Sequence, residues 1–296
     1  MTPALCLGTA QFGLAYGITN VHGQVPDEEV ANLLDYAQNV GIRLIDTAQA
    51  YGNAELVLGD RLPKSHDFRL ISKLPAQSQQ QFSAQHAGEW QQAFLTSCRL
   101  LGVNSLDALL LHSPADLSKP GAHHLENWLL SLREQGLVKR IGVSIYSAKD
   151  LDFVNPSLLD LVQLPLSLFD QRLLKDGTIA KLRERGTAIH ARSLFLQGLL
   201  LTHAAHWPEW VDSKVISHQQ ALEALAEERG CCLLDLALAF AKEQSDLEAV
   251  VVGICSVGEL LQLHSSWTSS FSWQGSDWRK WSLRDSRILD PRLWPH

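Results

Sequence analysis

The sequence predicts a (β/α)8 barrel, and two patterns along the chain carry that prediction. Eight short apolar segments rich in β-forming residues recur at 5–10, 43–48, 69–74, 106–112, 140–146, 159–164, 187–194 and 249–253. Each segment is apolar throughout, which is typical of parallel strands that are covered on both faces. Segments with helical periodicity lie between them, and strands that alternate with helices in one chain indicate a barrel or an open doubly wound sheet.

The intervening helices are recognised by their apolar faces and by the glycines that end them. Residues 28–41 carry apolar side chains on one face and end at Gly41, and glycine also ends the helical segments 88–102, 123–136 and 177–186. Glycine is the usual terminator at such positions. Two further helices are predicted before the last strand. A doubly wound sheet normally shows GxGxxG after an early strand, and its absence from the sequence favours the barrel.

The chain is predicted to form a single domain, 1–296, in which the barrel occupies about 5–264. The tail, 265–296, is polar and rich in serine, and it holds five of the nine tryptophans. We expect most of these tryptophans to pack the tail onto the barrel. The alternative is an aromatic wall around a ligand pocket.

Composition and charge limit which binding partners and which cellular compartment are expected. The chain has 296 residues and a net charge of −7 without a basic run, so neither nucleic acid nor an anionic membrane surface is expected as a partner. No apolar stretch reaches the ~20 residues that span a bilayer, and the first residues do not have the pattern of a signal peptide. Five cysteines without a CxxC pattern are typical of reduced thiols, which predicts a cytoplasmic protein.

Polar side chains lie where the predicted strands end. Asp46 ends the second strand and Tyr51 follows it, Lys73 ends the third strand, and His112 ends the fourth. In a barrel, catalytic residues lie where strands end and the loops to the next helix begin. Later strand ends carry Ser144, Gln163, Arg192 and Ser193.

Each of these residues also has an ordinary structural interpretation. Asp46 could cap the turn that follows it, and Tyr51 could be a packing residue. Lys73 could extend its charge to solvent along an apolar surface, and His112 could hold a loop by a hydrogen bond. The placement of all four at consecutive strand ends favours one shared site over four separate structural roles.

The ordered set of motifs resembles the aldo-keto reductase superfamily, and the resemblance extends over most of 5–264. The motifs are LGTAQFG, IDTAxxYG, a strand-end SK, LLLH, GVS, a glutamine within the sixth strand, a loop that begins at Ser193, and VVVGICS. The resemblance implies a catalytic tetrad of Asp46, Tyr51, Lys73 and His112.

Elementary chemistry agrees with that tetrad. A carbonyl can accept a hydride only if its oxygen receives a proton as negative charge builds, and Tyr51 could donate it. A phenol with a pKa near ~10 is a reluctant acid at neutral pH. A cation at Lys73, itself held by Asp46, would favour the phenolate and lower that pKa. His112 would orient the carbonyl and stabilise the developing oxyanion.

The resemblance also implies NADPH or NADH as hydride donor and a small-molecule carbonyl compound as substrate. The cofactor-binding residues that it implies are Thr9, Asp46, Ser144, Gln163, Arg192, Ser193, Gly253 and Ser256. Among them, Ser144 and Gln163 would hold the carboxamide of the nicotinamide.

The sequence departs from the family pattern at three places. Ile145 stands where many members have asparagine, and Arg192 stands where an aromatic residue often stacks on nicotinamide; Arg192 could instead hold the pyrophosphate. Residues 253–263 contain Cys255 and Glu259 but no lysine or arginine for a 2′-phosphate. NADPH is favoured by the resemblance, and NADH is the second candidate.

Two other functions are compatible with the same residues. One is a regulatory protein that binds nucleotide and turns over little. The other is a lyase that uses Lys73 as a Schiff-base amine. His203 and His206 have the spacing of metal ligands, but a solvent-exposed position is favoured and no metal is expected.

Overall fold

Eight parallel strands close into a barrel in the computed structural model, which describes residues 2–269 and 277–295. In chain order they are β1 (Ala4–Gly8), β2 (Leu44–Asp46), β3 (Arg69–Leu74), β4 (Leu106–Leu111), β5 (Val138–Ser144), β6 (Leu161–Pro165), β7 (Ala188–Arg192) and β8 (Ala249–Gly253). Each strand pairs with the next along the chain, and β8 pairs with β1. The predicted barrel is therefore confirmed.

Helices connect the strands on the outside of the barrel. They are α1 (Ala10–Gly13), α2 (Asp27–Asn39), α3 (Ala54–Arg61), α4 (His86–Leu100), α5 (Ala122–Glu134), α6 (Arg172–Lys175), α7 (Thr178–Glu184), α8 (Ser213–Glu228), α9 (Leu233–Lys242), α10 (Val257–Thr268) and α11 (Ser286–Leu289). Short 3₁₀ turns occupy Pro114–Ser118, Ala148–Leu151, Pro156–Leu158, Leu199–Leu201, Ala204–His206, Trp278–Trp281 and Pro291–Leu293. The two helices predicted before the last strand are α8 and α9.

The barrel has an apolar interior that is separate from the larger core between strands and helices. Its buried members are Cys6, Leu44, Ile71, Ala108, Leu110, Leu161 and Ala249. Side chains on a strand alternate between its two faces, so the residue two positions after an interior one points inward again. Asp46 follows Leu44 in this way, and Lys73 follows Ile71. The interior is thus apolar in its middle and polar at the carboxyl end.

The tail packs against the barrel in the part that the structure describes. Trp278, Trp281 and Trp294 are each less than a tenth exposed, and the Trp278 carbonyl accepts a hydrogen bond of 2.8 Å from the Gln171 amide. Trp273, which belongs to the same expectation, lies outside the described residues. The assignment of 1–296 to one domain stays a prediction.

No helix in 2–269 or 277–295 combines the length and the apolar character that crossing a bilayer requires.

Candidate active site

Asp46 and Lys73 form a buried ion pair at the carboxyl end of the barrel. The Lys73 ammonium donates to Asp46 Oδ2 at 2.6 Å and to the Thr47 carbonyl at 3.0 Å. Lys73 is fully buried and Asp46 is 3% exposed. Burial lowers the pKa of Lys73, but the opposing effects of Asp46 and Tyr51 are larger and hold that pKa above its ordinary value. Lys73 is therefore an ammonium at neutral pH.

The third contact of the Lys73 ammonium is the phenol of Tyr51. Nζ lies 3.4 Å from the Tyr51 oxygen and 5.0 Å from the ring centroid. This contact places a cation next to the phenol, and a nearby cation stabilises a phenolate. The three sequence-predicted residues Asp46, Tyr51 and Lys73 are thus in direct contact.

His112 packs against the Tyr51 ring and is a neutral imidazole. The two ring centroids are 5.8 Å apart and the ring planes meet at 82°. Burial lowers the pKa of His112 to about 4, and the positive charges of Lys73 and Arg192 act in the same direction. A neutral imidazole offers one N–H donor, which suits a group that orients a carbonyl oxygen without protonating it.

The backbone around Tyr51 packs directly against the end of α1. A Cβ on Gly13 would lie 1.9 Å from the Tyr51 carbonyl and 2.4 Å from the Ala54 nitrogen, so only glycine fits there. Gly52 has a φ of +57°, and a Cβ on it would lie 2.3 Å from the Gly13 carbonyl. The backbone on both sides of Tyr51 therefore depends on these two glycines.

Gln163 makes a contact that its sequence position did not indicate. Its amide nitrogen donates to Asp46 Oδ1 at 2.8 Å, so both carboxylate oxygens of Asp46 are bonded. The strand register pairs Gln163 with Ser144, which is 2% exposed. Gln163 thus orients Asp46, and its amide oxygen remains as the group that could accept from a ligand.

A cavity of about 550 Å³ opens above the tetrad. Among the sequence-predicted residues, its lining includes Thr9, Asp46, Tyr51, His112, Gln163, Arg192, Ser193 and Gly253. Lys73 lies beneath this lining, behind Asp46 and Tyr51. Ser144 and Ser256 are not lining residues. Pockets of ~300–1,000 Å³ are typical of cofactor and small-molecule sites.

The end of the cavity near β8 is polar and closely fitted. The Gln11 amide oxygen is buried without a hydrogen-bond partner among the described residues. A Cβ on Gly253 would lie 2.6 Å from the Gln11 amide nitrogen. A buried, unbonded acceptor on a residue that lines the cavity fits a bound polar ligand.

Arg192 reaches the cavity from the end of β7. Its guanidinium donates to the Ile145 carbonyl at 2.9 Å and to the Ser193 hydroxyl at 3.2 Å. Ser193 has a φ of +61°, a strained value for a residue other than glycine, and it begins the loop over the cavity.

Two carboxylates occupy the amino end of α10, where the sequence offers no lysine or arginine. Glu259 accepts from the Cys255 nitrogen at 2.7 Å, and Glu29 accepts from the Val257 nitrogen at 2.6 Å. The Ser256 hydroxyl caps the same helix by accepting from the Glu259 nitrogen at 3.2 Å. These helix-end N–H groups are therefore bonded to the chain's own side chains.

The sequence reasoning missed Tyr16 and Tyr146, which both line the cavity. Tyr146 could have been identified, because it lies two residues after Ser144 and continues the inward alternation of β5. Tyr16 lies in the loop after α1, where strand alternation gives no signal.

The possible metal ligands His203 and His206 lie outside the cavity lining. His203 Nε2 lies 3.1 Å from Glu223, a partner that the sequence did not reveal. No cluster of three potential metal ligands occurs within 2–269 and 277–295.

Comparison with known proteins identifies the family. The sequence model of the Aldo/keto reductase family matches residues 4–277. An aldo-keto reductase of Mycolicibacterium smegmatis is 32% identical over 139 residues, which cover 45% of each chain. One from Mycobacterium sp. (strain MCS) is 29% identical over 197 residues, 62% of this chain and 63% of that one. The matched segments thus span about half to two thirds of these relatives.

Solved structures agree on the fold. The glycerol dehydrogenase of Gluconobacter oxydans superposes with a TM-score of 0.68 at 22% identity, over 90% of this chain and 87% of that one. An aldo-keto reductase of Bacillus halodurans, solved in its holo form, gives 0.69 at 18% identity, over 91% and 88%. The chain belongs to the aldo/keto reductase family, whose members are NAD(P)H-dependent oxidoreductases.

Proposed function

We propose that this member of the aldo/keto reductase family reduces a small aldehyde or ketone to an alcohol. The observation that carries the proposal is the contact chain from Asp46 through Lys73 to Tyr51, at 2.6 Å and 3.4 Å. This series of contacts ends at Tyr51, which lines the cavity beside the neutral imidazole of His112.

Each residue of the tetrad has a separate task in this reaction. Tyr51 donates its proton to the carbonyl oxygen as negative charge develops there. The Lys73 ammonium stabilises the phenolate that remains, and Asp46 holds the ammonium in position. His112 donates its single N–H to the carbonyl oxygen and so orients it.

The nicotinamide cofactor, when bound, supplies the hydride. Thr9, Gln163, Ser193 and Gly253, which line the cavity, are proposed to hold it. Ser144 and Ser256 do not line the cavity, so their proposed roles in cofactor binding are indirect. Ser144 would position Gln163, its partner in the strand register, and Ser256 would cap α10. The unbonded Gln11 acceptor next to Gly253 supports a polar ligand in this part of the cavity.

The choice between NADPH and NADH depends on the amino end of α10. The family resemblance favours NADPH, but Glu29 and Glu259 place two negative charges where a 2′-phosphate would be held. Like charges repel, and a phosphate requires cations or free N–H donors. We therefore propose NADH as the preferred donor, with Glu259→Gln shifting the kcat/KM ratio towards NADPH.

The lyase alternative conflicts with the charge of Lys73. A Schiff-base lysine must be a neutral amine, which requires a lowered pKa. Asp46 and Tyr51 instead hold the pKa of Lys73 above its ordinary value, against the effect of burial.

The five cysteines are all free thiols, which supports the proposal of a cytoplasmic protein.

Nucleotide titration followed by turnover on a panel of aldehydes tests the proposed function. We expect NADH and NADPH to quench the protein fluorescence and at least one aldehyde to be reduced. Nucleotide binding without turnover of any aldehyde or ketone would favour the regulatory alternative.

A further inference from the structure

Arg192 differs from the other partly buried arginines because it has no carboxylate partner. Arg133, Arg140 and Arg172 each contact a carboxylate at 2.7 Å or less. Within 2–269 and 277–295, no carboxylate oxygen lies within 4.0 Å of the Arg192 guanidinium. Its two hydrogen bonds go to neutral oxygens, those of Ile145 and Ser193. A guanidinium has five N–H groups, so donors remain for a ligand.

The plane of this guanidinium is fixed by a stack that includes the C-terminal tail. The Arg192 carbon Cζ lies 4.0 Å from the Tyr146 ring centroid, and the Cζ of Arg292 lies 3.4 Å from the same centroid. Two guanidinium groups this close to one ring occupy its opposite faces. Tyr146 is therefore held between the two arginines.

The two arginines of the stack differ in charge balance. Arg292 makes two hydrogen bonds to Asp290, at 2.9 Å and 2.6 Å, and so has a carboxylate of its own. Arg192 has none and faces the cavity. The stack thus presents one uncompensated, pre-oriented cation to whatever occupies that space.

Arg192 also lies close enough to the reaction site to act on it electrostatically. Its positive charge contributes to lowering the pKa of His112, together with burial and Lys73. Burial raises the pKa of Tyr16 to about 12, and the positive charge of Arg192 partly opposes that rise. A ligand group bound by Arg192 would therefore lie near the carbonyl that His112 orients.

From this geometry we infer that the substrate is an aldehyde or ketone that also carries a carboxylate, and that Arg192 binds that carboxylate. The inference rests on the proposed reductase function and specifies its substrate class. A planar guanidinium with free N–H groups matches a carboxylate in a two-point contact. Tyr146 and Arg292 are positioning residues that hold the guanidinium in the plane this contact needs.

Two matched substrate pairs test the inference at a fixed, saturating nucleotide concentration. The aromatic pair is 4-carboxybenzaldehyde and its methyl ester, and the aliphatic pair is succinic semialdehyde and its methyl ester. We expect wild-type kcat/KM to favour the charged member by about tenfold or more in at least one pair, as a charge-assisted hydrogen bond would give. Equal kcat/KM for both members of both pairs would overturn the inference and leave the reductase function intact.

Variants of Arg192 locate the preference. In Arg192→Gln the ratio of charged to neutral substrate should fall to near one, and in Arg192→Lys it should take an intermediate value. Arg133→Gln is the control, because Arg133 pairs with Asp160 and is not a lining residue; its ratio should equal that of the wild type.

The nucleotide dissociation constant separates the two possible sources of the anion. If Arg192→Gln weakens nucleotide binding by tenfold or more and leaves the substrate ratio unchanged, the guanidinium serves the cofactor diphosphate and the inference is wrong. If the wild type reduces no aldehyde or ketone at all, the proposed function itself fails, and this inference with it.

Discussion

The two ends of the barrel use the same kinds of charged residue in different ways. At the amino end, Asp107 accepts from Arg69 at 2.9 Å and from Arg140 at 2.5 Å. Arg140 also donates to Glu248 at 2.9 Å, and Glu248 lies 3.3 Å from the His190 ring. Every carboxylate and guanidinium group of this network, which we call the floor network, has an oppositely charged partner within it.

At the carboxyl end, the charges are only partly compensated. Asp46 and Lys73 neutralise each other, but the Lys73 ammonium also lies 3.4 Å from the phenol oxygen of Tyr51. Arg192 faces the cavity without a carboxylate within 4.0 Å in the described residues. A charge-compensated network stabilises the fold, whereas an uncompensated charge can bind a ligand. Removal of a residue should therefore affect stability at one end and activity at the other.

Lys73→Met should have the largest effect, because Lys73 contributes both to the stability of the fold and to the proposed reaction. The substitution leaves Asp46 buried without its cation, which costs about 3–5 kcal/mol of unfolding free energy. It also removes the charge that we propose stabilises the Tyr51 phenolate, so kcat/KM should fall by about 10²–10⁴. Urea denaturation and aldehyde turnover measure the two effects. The exposed Lys64→Met should change neither, and a Lys73→Met variant with normal activity would contradict the assignment.

Asp107→Asn should break the floor network with little effect on the chemistry. Asp107 is 5% exposed and is bonded to two guanidinium groups. Loss of its charge should lower the free energy of unfolding by about 3 kcal/mol. The kcat of the folded protein should stay within about twofold of the wild type. A tenfold loss of kcat in fully folded Asp107→Asn would show that the two ends are coupled.

Gly13→Ala tests how far activity depends on backbone placement. The added methyl group would lie 1.9 Å from the Tyr51 carbonyl, so the loop that carries Tyr51 must move. A displacement of about 1 Å can reduce a rate by ~10²-fold, and we expect kcat to fall by about ten- to a hundredfold. Gly88→Ala is the control, because nothing lies within 4 Å of its Cβ position. An unchanged kcat in Gly13→Ala would show that Gly13 is not needed to position Tyr51.

Glu55→Gln should have the smallest effect, and that effect should depend on pH. Glu55 accepts hydrogen bonds from Ser72 and Ser97 at 2.6 Å and 2.9 Å, and burial raises its pKa. A raised folded pKa means that stability is fully present below the unfolded pKa of ~4.3 and is lost as pH rises through the folded value.

The glutamine variant lacks that loss. Its Tm should exceed that of the wild type at pH 8 by about a few degrees, and the difference should shrink towards pH 4. The exposed Glu134→Gln serves as control. A constant Tm difference across this range would show that Glu55 does not titrate as proposed.

The sequence was sufficient for the strand ends but not for the contacts between distant side chains. Period-two alternation places Asp46 and Lys73 at the same end of the barrel, and that much follows from the apolar residues before them. Alternation gives the direction of a side chain but not its partner. The bond from Gln163 to Asp46 spans 117 positions, and the one from Glu29 to Val257 spans 228.

The tail shows the same limit. Its tryptophans predict packing, but no sequence pattern indicates that Arg292 stacks on the ring of Tyr146. That contact depends on where the chain returns after α10, which is set by the packing of the whole barrel. The charge balance of Arg192 is likewise a property of its surroundings in space, and spacing along the chain cannot give it.

The most direct test of the central claim is a comparison of Tyr51→Phe with Tyr36→Phe. Tyr36 lies on α2 and packs against His264, away from the cavity lining. Tyr51→Phe should lose about 10²–10⁴ in kcat/KM for aldehyde reduction and retain the nucleotide dissociation constant of the wild type. Tyr36→Phe should keep both. A Tyr51→Phe protein that reduces aldehydes at a rate near that of the wild type would contradict the assignment of Tyr51 as proton donor.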